Sequence, residues 1–265
     1  MTQEVEFVPA SILVQEHVRV KYACPSCQET VRLAEMPPRP IEKGLPGPGM
    51  LAHVVTSKYA DHLPLYRLED MFARNGFDVR RSTLADWVEA TANLLKPIVN
   101  EMELDILLSR VLQTDDTPVR VQDETKEHAT REGRFWGYLG HREHPHVVFR
   151  FTPNHSAQDT QMFLANYVGT LQADAYKGYD KVYALKKAIE AACWAHARRY
   201  FEKTLDQKAK KEPSPNHPAH AALAFIRRLY QVEDLAKGLD PERRKEMRQK
   251  DASPVLDEFR KCGVQ

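Results

Sequence analysis

The sequence predicts an α/β protein whose sheet carries carboxylates, and three observations predict it. Two short apolar runs end in aspartate: Leu112-Gln113-Thr114-Asp115-Asp116-Thr117-Pro118-Val119-Arg120-Val121 and Leu171-Gln172-Ala173-Asp174-Ala175-Tyr176. Between them, residues 135–140 and 147–151 read as two more strands joined by a polar turn, as in a hairpin. Helix-period segments then alternate with strands through the rest of the central region.

The bulk properties narrow the class. At 265 residues the chain can bury a substantial core, in one large domain or two smaller ones. No apolar run approaches the roughly 18 to 20 residues of a membrane span. The N-terminus, Met1-Thr2-Gln3-Glu4-Val5-Glu6, lacks the basic and apolar regions of a signal peptide, so a cytoplasmic protein with no membrane partner is expected. Lys and Arg number 38 against 37 Asp and Glu, so a nucleic-acid surface must come from local segregation of charge. Residues 186–211 show it, with eight cations against three anions, although a solvated helix face reads the same way. Of the four cysteines only Cys24 and Cys27 are close in sequence, and a reducing cytoplasm disfavours disulfides. Cys193 reads as a small buried hydrophobe and Cys262 as part of a frayed end.

Taken in order, residues 1–36 read as a small β-rich module. Alternation in Ile12-Leu13-Val14 and in His17-Val18-Arg19-Val20-Lys21-Tyr22 precedes the turn Cys24-Pro25-Ser26-Cys27. A Pro/Gly-rich linker, 37–49, marks a boundary. Residues 50–108 are helical in pattern, through Leu51, Val54, Val55, Leu63, Leu65, Leu68, Met71 and Phe72. Asn75-Gly76 breaks that pattern, and Ser82 is placed to N-cap the next helix. This order fits a helix-turn-helix, and plain helical packing explains it equally. Residues 109–204 hold the strands already named, a helix over 156–167 with Ser156 as N-cap, a strand ending at Asp174, a helix near 179–187, a short strand over 191–194 and a helix from Ala197. Three strands, a helix, then strands alternating with helices is the order of a ribonuclease H-like α/β core. Residues 205–265 are helical, punctuated by Pro213-Ser214-Pro215, Asp240-Pro241 and Ser253-Pro254.

The chemistry lies with Asp115 and Asp174. Carboxylates at the ends of neighbouring strands can share a hard, oxygen-preferring cation such as magnesium, or manganese in its place. Each has a bland alternative: Asp115 could form an Asx turn and leave Asp116 as the ligand, and Asp174 could cap the following helix. His196, Arg198 and Arg199 suit a DNA backbone beside such a site, while Trp194 and His196 could instead pack a sheet edge. The turn bearing His141, His144 and His146 reads as solvated in preference to metal-binding.

These motifs resemble the transposases of the insertion sequence 66 family, of the DDE group of polynucleotidyl transferases. The resemblance rests on Lys21-Tyr22-Ala23-Cys24-Pro25-Ser26-Cys27, on Lys58-Tyr59-Ala60-Asp61-His62-Leu63-Pro64-Leu65-Tyr66-Arg67, on Asp115-Asp116-Thr117-Pro118-Val119-Arg120-Val121, and on Gln172-Ala173-Asp174-Ala175-Tyr176-Lys177-Gly178-Tyr179 followed by Cys193-Trp194-Ala195-His196-Ala197-Arg198-Arg199. It implies catalytic magnesium ligands at Asp115 and Asp174, strand cleavage and strand transfer on DNA, contact with element ends and target, and self-association as a possible assembly.

Two departures qualify it. The family's zinc module resembles paired Cys-x-x-Cys knuckles, whereas here only Cys24 and Cys27 stand, with His17 as a third donor; two thiolates make an incomplete zinc site. The family's catalytic glutamate lies in an Asp-Asn-Asn-x-x-Glu-Arg-like motif, and Glu190, Glu202, Glu233 and Glu258 lie in no such motif. The chain is accordingly expected to break off within the helical insertion and to be an incomplete or inactive transposase. A non-catalytic DNA-binding remnant and a metal-dependent nuclease are the alternatives.

Overall fold

Apolar residues at helical spacing between Leu51 and Trp87 do form helices. In the computed structural model the described residues are 4–5, 11–23, 25–26, 31–42, 44–123, 125, 129–205 and 217–262. The chain divides into two compact units, Met1–Glu101 and Met102–Gln265.

In the first unit, α1 (Pro48–Tyr59), α2 (Leu65–Arg74) and the start of α3 (Arg81–Ile106) surround a core of Leu51, Val54, Leu68, Phe72, Leu84 and Trp87. Proline opens α1, where its missing N–H costs nothing. Gly76, at φ +76°, closes the turn after α2 with its N–H on the Ala73 carbonyl, so the predicted break at Asn75-Gly76 has a backbone cause. Ser82 is no N-cap: α3 begins at Arg81 and takes Ser82 into its first turn.

Within the expected β-rich module the described residues form a two-stranded ribbon, β1 (Lys21–Ala23) against β2 (Val31–Leu33). The alternation in Ile12-Leu13-Val14 makes no strand. Leu13 and Val14 are exposed, and Ile12 packs against the helical core together with Ile41. Cys24 and Cys27 lie outside the described residues.

The second unit is built on a five-stranded mixed sheet in the order β5-β4-β3-β6-β7. The strands are β3 (Val111–Gln122), β4 (Thr130–Leu139), β5 (Val147–Thr152), β6 (Gly169–Ala173) and β7 (Ala188–Ala192). β3, β4 and β5 pair antiparallel, while β6 and β7 run parallel to β3. Leu112, Trp136, Tyr138, Val148, Leu171, Ala173 and Ala188 share one buried core with Leu164, Tyr167, Tyr179 and Val182. The alternate residues Phe135, Leu139, Val147, Phe149, Phe151 and Ile189 are exposed, which is the two-residue period of a strand. Pro118 is tolerated in β3 because β6 accompanies that strand only as far as Gln113.

Helix boundaries moved more than strands. α4 (Gln158–Phe163) is shorter than the predicted 156–167, and Ser156 instead accepts the Gln158 N–H at 3.3 Å from outside the helix. Tyr167 turns into the core, its hydroxyl 3.1 Å and 3.0 Å from the carbonyls of Ser109 and Thr170. A 3-10 turn (Lys177–Tyr179) leads into α5 (Asp180–Ala184). β7 starts at Ala188, earlier than predicted, so Trp194 opens α6 (Trp194–Thr204) and ends no strand. Among the described residues three more helices follow: α7 (Pro218–Leu235), α8 (Pro241–Met247) and α9 (Ser253–Lys261), the last two joined by a π-helical turn, Arg248–Ala252.

Candidate metal centre

The register of the sheet brings the two predicted aspartates together. β3 and β6 pair from Val111↔Thr170 to Gln113↔Gln172, and Gln113 Nε2 donates to Gln172 Oε1 at 2.6 Å. Two residues further along each chain stand Asp115 and Asp174. One carboxylate oxygen each from Asp115, Asp116 and Asp174 lies within 4.8 Å of the other two.

The three carboxylates differ in surroundings. Asp115 is the most open, its side chain 62% exposed, with Oδ1 accepting the Asp116 N–H at 3.0 Å. Asp174 is half-buried just past β6, and its Oδ1 accepts the Tyr176 N–H at 3.1 Å. Asp115 lies inside β3 and makes no Asx turn, and Asp174 makes an Asx-type bond to the residue two on but caps no helix; a carboxylate has lone pairs enough for a backbone N–H and a cation. Asp116 points to the buried side beside Trp136, its cross-strand neighbour, and is 10% exposed. Arg134 Nη1 donates to its Oδ2 at 2.8 Å, and His155 Nε2 lies 3.6 Å from the same oxygen. Arg134 also reaches Glu132 at 2.7 Å. The His155 ring is held flat against Tyr176, with centroids 4.4 Å apart, and against Trp136 at 5.7 Å.

Three carboxylates this close repel one another in the absence of cations, and a hard divalent ion with oxygen ligands is the species whose charge and donor preference match them. Arg134 offsets one of the three negative charges. Neither Arg134 nor His155 stood out in the sequence. Arg134 faces Pro118 in the register, 18 residues from its ion-pair partner, and only the hairpin makes them neighbours.

The other predicted residues distribute as follows. His196, in the first turn of α6, places Nε2 3.7 Å from Asp115 Oδ1, while its Nδ1 is buried without a hydrogen-bond partner. Arg198 turns to Glu202 at 2.9 Å, and Arg199 is exposed. In the histidine turn, His144 Nδ1 is 2.8 Å and His146 Nε2 3.4 Å from the carboxylate of Asp105. Among the described residues this group does not converge as the three aspartates do.

Residues 43–263 match the family model described as Transposase IS66 family. The chain belongs to this family. All three carboxylates fall inside the IS66 match, and residues 1–28 match the zinc-finger binding domain of transposase IS66, which includes Cys24 and Cys27. Two proteins of Sinorhizobium fredii (strain NBRC 101917 / NGR234) are similar along nearly the whole chain. The uncharacterized protein y4hP is 30% identical over 98% of this chain and 49% of its own length; the uncharacterized protein y4jD is 30% identical over 98% and 52%. The chain thus spans about half the length of the curated relatives it matches. Among the described residues, no helix is long and apolar enough to cross a membrane.

Proposed function

We propose that this chain carries the metal-binding heart of a DNA transposase, a ribonuclease H-like core in which Asp115 and Asp174 hold a divalent cation for strand cleavage and strand transfer. The observation that carries the reading is the approach of three carboxylates to within 4.8 Å, inside the matched family region. The sheet order and its parallel β3–β6 pair support the core assignment, because Asp115, two residues past the end of that pairing within β3, then stands beside Asp174, just past β6.

The donor set fits magnesium or manganese: all oxygen, and open on the Asp115 side. A bound divalent ion would supply Lewis-acid stabilisation of a phosphoryl oxygen and a more acidic water or hydroxyl nucleophile. The chain's own residues do the positioning. Asp115 and Asp174 are oriented by the backbone N–H groups they accept, so little ordering remains when they bind. Arg134 holds Asp116 toward the buried side and offsets its charge. His196 and Arg199 lie on α6, whose first turn reaches Asp115, and stand toward a DNA phosphate backbone, while Arg198 is held by Glu202 on the same helix. The zinc-finger match at the N-terminus and the helices of residues 50–108 add DNA-binding surface in this reading.

Manganese binding, followed by electron paramagnetic resonance or titration calorimetry on the 265-residue chain, tests the site. Asp115→Asn and Asp174→Asn should each weaken manganese binding by about tenfold or more, since each removes a charged ligand. Unchanged binding in both variants sinks the assignment. Nicking of DNA by the unmodified chain that neither variant abolishes would point to a nuclease using other residues.

A further inference from the structure

The helix that delivers His196 to Asp115 has none of its 11 residues fully buried. His196, Arg199, Tyr200 and Lys203 are spaced i, i+3, i+4 and i+7, so they form one stripe along it. The stripe begins at the carboxylates, where His196 Nε2 stands 3.7 Å from Asp115 Oδ1. It ends at Lys203, about 10 Å further along the helix axis at 1.5 Å per residue. That is roughly the rise of three nucleotides in B-form DNA.

The two arginines of the helix are not equivalent. Arg198 lies off the stripe and is held by Glu202 at 2.9 Å. Arg199 and Lys203 are exposed and enter no ion pair among the described residues. Between them Tyr200 presents its ring with 68% of its surface exposed. An exposed ring alone means little, but a ring between two cations that enter no ion pair among the described residues, on a stripe that starts at a metal-type carboxylate site, matches the pairing of phosphate contacts with base stacking that single strands require.

We infer that one strand of the DNA substrate runs along this stripe into the carboxylate site, with Arg199 and Lys203 on its phosphates and Tyr200 stacked on an unpaired base. The inference rests on the transposase reading and deepens it. It keeps Arg199 as a DNA contact, leaves Arg198 to Glu202, adds Tyr200 and Lys203, and specifies a substrate that is single-stranded where it approaches the reacting phosphate.

Fluorescence anisotropy on the whole chain, with a blunt duplex and a duplex carrying a 3′ single-stranded tail, tests it across a salt series. The Arg199→Ala, Lys203→Ala double variant should lower the slope of log affinity against log salt by about 1.5, the loss of two phosphate contacts. Arg198→Ala should leave that slope unchanged. Tyr200→Ala should weaken the tailed duplex by about tenfold and spare the blunt one, and Tyr200→Phe should restore binding, since stacking needs the ring and not the hydroxyl. A 5-bromodeoxyuridine in the tail should cross-link to Tyr200. Equal effects of Arg198→Ala and the double variant, equal loss on both duplexes in Tyr200→Ala, or no binding of either DNA by the unmodified chain each overturn the inference. Circular dichroism of every variant separates these outcomes from unfolding. Manganese binding should be intact in all of these α6 variants, so failure of the strand path and failure of the metal site give different patterns.

Discussion

Arg134 decides the balance of charge at the candidate metal centre. Its guanidinium holds Asp116 at 2.8 Å in surroundings where both side chains are largely buried, 20% and 10% exposed. Removing one member of such a pair leaves an uncompensated charge, which in a fully buried pair costs about 3–5 kcal/mol. With this residual exposure, Arg134→Ala should destabilise the second unit by about 2 kcal/mol, measured by urea unfolding. Adding Asp116→Asn should recover part of the loss, because the stranded charge goes with it. If the double variant is no more stable than Arg134→Ala, the pair is not what Arg134 contributes.

The buried tyrosines give the second residue-scale expectation. Burial pushes Tyr138, Tyr167 and Tyr183 up to about 12, and Tyr179, whose hydroxyl is 3.2 Å from that of Thr114, is also raised. Their pKa values in the folded chain exceed the ordinary tyrosine value of 10.0. Their contribution to stability is therefore complete below that pH and is lost as pH rises through the folded values. Absorbance at about 295 nm, the tyrosinate band, should show these four ionising only as the chain unfolds in alkali. Reversible titration of all ten tyrosines near their ordinary value would contradict the packing.

At the scale of elements, the β4–β5 hairpin depends on two glycines for different reasons. A Cβ on Gly140 would press on the backbone carbonyl of His144, whereas one on Gly133 would meet the Phe151 ring at 2.6 Å and the Thr152 carbonyl at 3.0 Å. Phe151 is 46% exposed and can swing; the turn backbone cannot. Gly140→Ala should therefore cost about 2 kcal/mol or more, in the range of overpacking a dense site, and Gly133→Ala less. Thermal melts give the order directly, and the reverse order would refute the steric account. In the C-terminal helices, Arg248 grips Glu233 through two bonds of 2.7 Å and 2.6 Å. The Arg248 hydrogen bonds hold the Glu233 carboxyl below its ordinary value of 4.5, so the pair stabilises above that pH and its contribution fades as pH falls. With both side chains about half exposed, Glu233→Gln should cost no more than about 1 kcal/mol at neutral pH, and nothing once acid has protonated the carboxyl.

At the scale of the molecule, two separate cores should respond separately. Leu68→Ala opens a cavity in the first and Leu171→Ala in the second, both residues being fully buried, and each should cost about 2–5 kcal/mol. Hydrogen exchange should show each effect confined to its own unit and the double variant additive. The long helix α3 carries Pro97 in its interior, where the ring removes a backbone hydrogen bond. Pro97→Ala should raise helicity, read from circular dichroism.

By itself the sequence determined which residue types could do the chemistry and that the central region alternates strand with helix. Those readings are local: an apolar run leading into aspartate, a hairpin around a polar turn, and a Gly after α2 are set by neighbours along the chain, as are the motifs that place it in the IS66 family, whereas β3 in fact runs on past Asp115 to Gln122. Strands kept their predicted places to within a few residues because their two-residue period is exposed on one face and buried on the other. Helix ends were harder to read. Ser82 and Ser156 are good capping residues, yet α3 absorbed the first and packing of Tyr167 shortened α4. Tertiary structure alone decided that Asp116 joins Asp115 and Asp174 and that Arg134 and His155 restrain it. The register between β3, β4 and β6 creates those distances, and register is set by pairings between residues many positions apart that no local pattern records.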